Sequence, residues 1–207
     1  MAFNNSASSL VILDFETTGL SPNMGDRAIE IGAVRIENSE VTESFSQLMD
    51  PGFRISGFIE DYTGISNQML NGMPTCAQVM NEFADFIEGS NLVAHNASFD
   101  KRFLDAELNQ ISRSYSGEFS CSMLLARRIY QSAPTHKLGD LIKYKNISAD
   151  GGFHRALFDS QMTAKLWITM LDDIKNDYGL TDIEFSLVKK LVKTPKKSVH
   201  DVLSNWK

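Results

Sequence analysis

Two features of the sequence predict an α/β domain built on a mixed β-sheet. Residues 10–48 carry three successive strand patterns separated by short turns, the signature of an antiparallel meander. A helical pattern, a short apolar strand and further helical patterns follow, so the chain re-enters the sheet through crossovers. A doubly wound parallel sheet would not begin with a meander.

The first strand begins at Leu10-Val11-Ile12-Leu13, continues through Asp14-Phe15-Glu16, and ends in Thr17-Thr18-Gly19. Ser21-Pro22-Asn23-Met24-Gly25-Asp26 is turn chemistry. Residues 28–37 alternate β-branched and polar side chains as a second strand, and 40–48 form a third, with Asn38-Ser39 suited to a hairpin. Residues 50–72 form a long glycine-rich connection, of a length that is usually functional. A helix is expected over 74–89, where Val79, Phe83, Phe86 and Ile87 share one face. Residues 91–96 are a short buried strand feeding a helix at 98–109. Two short helices are expected at 121–131 and 137–145, and a long one at 156–175 after the break at Gly151-Gly152.

Composition narrows the setting. Of 207 residues, 43% are hydrophobic and 22% charged, which supports a full core. A net charge of −6 argues against a surface that coats nucleic acid, although metal-holding carboxylates would themselves be acidic. Cys76 and Cys121, two isolated thiols, suit a reducing compartment. With no basic, apolar leader and no run of about 18 apolar residues, a soluble cytoplasmic protein without membrane contact is expected. Residues 1–9 read as a flexible leader, 10–178 as the main domain, and 179–207 as a basic appendage. Within 181–207, six lysines face three acids, a net +3 that leaves −9 for residues 1–180.

Four acids interrupt patterns that belong in a core. Asp14 and Glu16 are two apart in a strand and therefore share a face. Side by side, they raise each other's pKa unless a cation lies between them. Asp100 opens a helix whose Phe103 and Leu104 face inward. Asp159 heads the stripe Met162, Leu166, Met170, where an unpaired carboxylate is costly to bury. All-oxygen ligands without clustered Cys or His point to Mg²⁺ or Mn²⁺, and four carboxylates suffice for two ions about 3.5–4 Å apart. His154, five residues before Asp159, is placed to take a proton from water near neutral pH. His95, ending the short strand, reads as a packing or supporting residue beside the site.

The stretches Asp-Phe-Glu-Thr-Thr-Gly (14–19), His-Asn-Ala-Ser-Phe-Asp (95–100) and His-Arg-Ala-Leu-Phe-Asp (154–159) resemble the three motifs of the DEDD exonuclease superfamily. The likeness is to the histidine subgroup of 3′→5′ exonucleases similar to the DNA polymerase III epsilon subunit, and it covers roughly residues 8–178. It implies a ribonuclease H-like fold with a five-stranded mixed sheet flanked by helices. It also implies two metal ions held by Asp14, Glu16, Asp100 and Asp159, and His154 as general base. The same likeness implies that the Thr17 region contacts the terminal nucleotide and its 3′ end, with Ile65, in Tyr62-Thr63-Gly64-Ile65, as a candidate wedge against a terminal base; His95 is a further candidate on the substrate side. The implied reaction releases nucleoside 5′-monophosphates from a nucleic-acid 3′ end, with DNA in a proofreading or repair role as the leading substrate. An RNA-trimming enzyme of the same family is the alternative. From a different class, a nucleic-acid-binding or polymerase-associated module without turnover also fits. A polymerase or repair protein is the partner class implied, and the basic appendage matches no core element of the family.

Overall fold

The computed structural model describes residues 5–149 and 155–206. Strands β1 (Leu10–Thr17), β2 (Ala28–Glu37) and β3 (Glu40–Leu48) form the expected meander. Asn38 and Ser39 both take positive φ, 52° and 66°, the geometry that lets a two-residue hairpin follow the strand twist. β4 (Leu92–Ala94) pairs parallel to β1, and β5 (Phe119–Cys121) parallel to β4, giving the order β3-β2-β1-β4-β5. The sheet is mixed and five-stranded. β5 has only three residues, too few to show alternation, and the sequence pattern merges its end into the following helix.

Side-chain alternation gives the sheet two apolar faces. Val11, Leu13 and Phe15 of β1 join Ile31 and Ala33 of β2 beneath α3 (Cys76–Phe86) and α4 (Ser98–Gln110). Thr75 starts α3 with a capping box to Gln78, which satisfies donors that the first turn leaves open. On the other face Leu10 and Ile12 meet Val34 and Ile36 under α7 (Ala156–Tyr178), whose Trp167 is fully buried. The short helices α5 (Ser122–Ile129) and α6 (Leu138–Tyr144) pack against α7 on that side. Among the described residues no helix is long and apolar enough to cross a membrane.

The long connection after β3 is not structureless. It contains α1 (Gly57–Thr63) and α2 (Asn67–Leu70), N-capped by the Ser56 and Ser66 side chains. Ile55, Ile59, Ile65 and Leu70 close on Ile29 as a small separate core.

The described residues at both ends pack on the main domain. Residues 5–9 are docked: Ala7 N–H donates to the Ile183 carbonyl (2.8 Å), Phe185 N–H to that of Asn5 (2.7 Å), and the Trp167 indole to that of Ala7 (2.9 Å). The lysine-rich end forms α8 (Phe185–Lys193) and α9 (Val199–Ser204). Phe185, Val188, Leu191 and Leu203 lie in the same core as Trp167. Lys189, Lys190 and Lys193 mark the wet side of α8, and residues 5–9 show no period because their backbone does the bonding. Leu191→Ala should therefore cost about 2–5 kcal/mol in urea unfolding. An unchanged midpoint would show that this end is not part of the folded core.

Candidate active site

On the α7 side, β1 runs Leu10, Ile12, Asp14, Glu16, and the paired positions of β2 run Ile36, Val34, Gly32, Glu30. The apolar face thus turns acidic at one end of the sheet. Gly32 stands directly opposite Asp14, and a Cβ there would lie 2.0 Å from the Leu157 nitrogen and 2.2 Å from the Ala156 carbonyl carbon. Only glycine lets the first turn of α7 come this close. Ser160 secures the contact by donating its hydroxyl to the Gly32 carbonyl (2.8 Å). Asp159, in the first turn of α7, is thereby brought to Asp14 and Glu16, and one carboxylate oxygen from each of the three lies within 4.8 Å of the others.

Two buried glutamates hold the supporting elements. Glu30 accepts from the Arg155 guanidinium (Nη2 to Oε1, 2.7 Å) and from Ala156 N–H (3.1 Å), fixing the start of α7. Glu107 of α4 does the same for the chain entering β2, with two 2.8 Å bonds from Arg27 and one from Ala28 N–H (3.2 Å). Each carboxylate is both paired and hydrogen-bonded, the condition under which a buried charge is tolerated. The sequence reading missed both. Glu30 could have been found, since it breaks the inward face of β2 as Asp14 and Glu16 break that of β1.

Asp100, near the start of α4, is buried and accepts Phe15 N–H (3.2 Å). It lines the same cavity but lies outside the close three-acid group. Burial, then the charges of Asp100, Glu16, Asp159 and Glu30, hold the Asp14 carboxyl well above its usual range. Burial first, and then the neighbouring acids, push Glu16 up to about 8. Burial raises Asp100 to about 7 against the opposing pull of two backbone N–H groups. Carboxylates concentrated at this spacing are a donor set for hard cations, and the oxygen spacing fits divalent ligation. Asp14, Glu16 and Asp159 would hold such an ion together, with Asp100 beside them.

The acids form the floor of a cavity of about 440 Å³. Thr17 lines it, its hydroxyl donating to the Gly19 carbonyl (2.6 Å) and tightening the turn after β1. At the rim stand Leu20, Phe58 and Tyr62, exposed by 76%, 73% and 57%. Phe58 and Tyr62 are four apart on α1 and stack with centroids 6.0 Å apart. The sequence reading passed over Phe58 because it left α1 as loop.

Two expectations are corrected. Ile65 is fully buried against Ile29, Ile55, Ile59 and Leu70, so it anchors the connection and presents no wedge to a base. His95 offers no ring nitrogen to a substrate. Nε2 is 3.0 Å from the His136 carbonyl, which can only accept, so Nε2 carries the proton, and Nδ1 lies 2.9 Å from the Ser122 hydroxyl. Burial holds this imidazole down to about 4, and thus neutral. It supports the cavity wall. His154 lies outside the described residues.

Comparison with known proteins gives a consistent picture. The exonuclease family model RNase_T matches residues 11–167. The chain is 33% identical over 195 residues to the PolC-type DNA polymerase III of Caldanaerobacter subterraneus subsp. tengcongensis, covering 93% of this chain but only 14% of that one. The DNA polymerase III epsilon subunit of Aquifex aeolicus is 31% identical over 175 residues, 84% of this chain and 86% of that one. Exonuclease X, solved in complex with 5′ overhanging duplex DNA, superposes with a TM-score of 0.66 at 28% identity, covering 94% of this chain and 99% of that one. The nuclease domain of 3′hExo, a DEDDh family member bound to rAMP, shares the fold (TM-score 0.69, 23% identity, 83% and 95% covered).

The raised carboxyls set a pH dependence. Unfolded carboxyls ionise near pH 4, whereas Glu16 and Asp100 in the folded state ionise near 8 and 7. Between these values the folded state binds more protons, so their contribution to stability is full below about pH 4 and is lost as pH rises to about 8. Without divalent ions, wild type should lose Tm relative to Glu16→Gln between pH 5 and 8. Adding Mn²⁺ should raise the wild-type Tm more at pH 8 than at pH 6. A constant difference and a pH-independent Mn²⁺ effect would contradict this electrostatic picture.

Proposed function

This chain belongs to the exonuclease family, and on that footing we propose that it is a metal-dependent 3′→5′ exonuclease of single-stranded DNA ends, releasing nucleoside 5′-monophosphates. The observation that carries the reading is the meeting of Asp14, Glu16 and Asp159 oxygens within 4.8 Å on the floor of an open cavity. The names of the relatives, DNA polymerase III PolC-type and epsilon subunit, favour DNA over RNA and a replication or repair polymerase as partner. The chain spans a small part of the PolC-type proteins.

Asp14, Glu16, Asp100 and Asp159 would hold two Mg²⁺ or Mn²⁺ ions. Bound there, such ions acidify a water and neutralise charge on the phosphoryl oxygens. The remaining work falls to the chain. The rigid seat of α7 on β2 keeps the ligands at fixed spacing, so no reorganisation accompanies the reaction. The exposed faces of Phe58 and Tyr62 offer a stacking surface for the terminal base, and stacking tolerates any base. The turn closed by Thr17 lies at the 3′ side of that nucleotide. His154 accepts the proton from the attacking water; Arg155, its sequence neighbour, is tied to Glu30.

The test is nucleotide release from 3′-labelled single-stranded DNA and RNA with Mg²⁺, Mn²⁺ or EDTA. Wild type should release mononucleotides from DNA faster than from RNA, and only with a divalent ion. Asp14→Asn should lower kcat on the order of 10³-fold or more. His154→Gln should lose the rise in rate through the histidine range near pH 6.5. Full turnover by Asp14→Asn, or release that persists in EDTA, would overturn the metal centre. Faster RNA cleavage would transfer the assignment to an exoribonuclease.

A further inference from the structure

A second cavity, of about 770 Å³, shares Asp14, His95 and Asp159 with the first and runs from them toward α5 and α6. Its outer wall carries Arg127, Lys137 and Asp140. Asp140 is engaged, accepting the Thr135 hydroxyl. Arg127 and Lys137 are exposed, and among the described residues no carboxylate pairs with either. In a chain with 26 acids and 20 Lys and Arg, partners are in excess, so two unpaired cations on one wall are informative. Arg127 stands close enough that its charge helps keep the His95 imidazole neutral.

Beyond Arg127 the surface continues onto the C-terminal segment. Arg128 donates to the carbonyls of Thr194 (2.6 Å) and Val192 (3.1 Å), and Gln131, just past the end of α5, to that of Lys196 (3.0 Å). Lys196 is thereby held, through its carbonyl, against Gln131, four residues after Arg127 in the chain. Lys196 and Lys197 are exposed and in no ion pair among the described residues. Two other lysines of the segment are engaged, Lys189 with Glu118 (3.2 Å) and Lys190 over the Trp206 ring.

We propose that Arg127 and Lys137, continued by Lys196 and Lys197, form a cationic track for successive phosphates of the single strand whose 3′ end reaches the acids. This rests on the exonuclease reading above and assigns the lysine-rich end a part in it. A groove that leads away from the acids with two unpaired cations on its wall, and two more on the neighbouring segment, suits a polyanion threaded end-first. The acids at the centre take the metal ions, and the track supplies the positive charge that an acidic protein otherwise lacks along the strand.

The experiment uses the whole protein and oligodeoxynucleotides of two to twelve residues. Release is followed with Mn²⁺, and binding by fluorescence anisotropy with Ca²⁺ in its place. For wild type, kcat/KM should rise with length. Arg127→Ala/Lys137→Ala should lower it at least tenfold on the 12-mer, chiefly through KM, and less on the dinucleotide. The same pair should flatten the salt slope of binding by about 1.4, at roughly 0.7 per phosphate contact. Lys196→Ala/Lys197→Ala should weaken only the longer substrates, and Arg127→Lys/Lys137→Arg should retain most of the affinity. Equal losses at every length, or an unchanged salt slope, would overturn the track. If wild type binds with these dependences yet releases no nucleotide, the exonuclease reading fails while the track stands.

Discussion

The first turn of α7 occupies the space where a side chain on Gly32 would be. This contact sets where Asp159 can be, because the aspartate lies one turn into a helix that could not otherwise sit against β2 at the level of Asp14. Packed backbones do not deform continuously, so the spacing of the acids is inherited from this approach rather than from flexible side chains. Glu30 takes Arg155 and the Ala156 amide at the same helix start, and Glu107 anchors α4, which carries Asp100. Each helix that carries one of these aspartates is thus tied by a carboxylate that is itself fully bonded.

The arrangement separates two kinds of acid. Glu30 and Glu107 have arginine partners and amide donors, and their charge is matched within the protein. Asp14, Glu16 and Asp159 crowd together, and for Asp14 and Glu16 burial first, and then the neighbouring acids, holds the carboxyls well above their ordinary range. Raised carboxyls of this kind oppose folding as they ionise, and a cation bound among them would offset that cost. The sheet can carry it because the opposite face of β1 packs Val11, Leu13 and Phe15 into one core and one side of α7 is buried in the other.

Much of this was legible in the sequence, for reasons that differ by element. β1 to β3 announced themselves by alternation and by Asn38-Ser39, and the acids by breaking apolar faces at i and i+2. α7 was visible from its stripe. β5 was not, since three residues carry no period. The two short helices after β3 were hidden by their glycines, and with them the exposed Phe58 and the burial of Ile65. The docking of residues 5–9 rests on backbone hydrogen bonds, which no side-chain pattern records. The lysines of the last segment drew attention to charge, while Phe185, Val188 and Leu191 at helical spacing were the better guide to its packing.

The dependence of the centre on the Gly32 approach is open to one direct measurement, Mn²⁺ binding by calorimetry to Gly32→Ala beside wild type. The added methyl has no room, and overpacking of this kind costs about 1–3 kcal/mol of stability. The expected result is an unchanged circular dichroism spectrum with Mn²⁺ affinity reduced at least tenfold, because α7 and Asp159 are moved off the acids of β1. Wild-type Mn²⁺ affinity in a folded Gly32→Ala protein would contradict it.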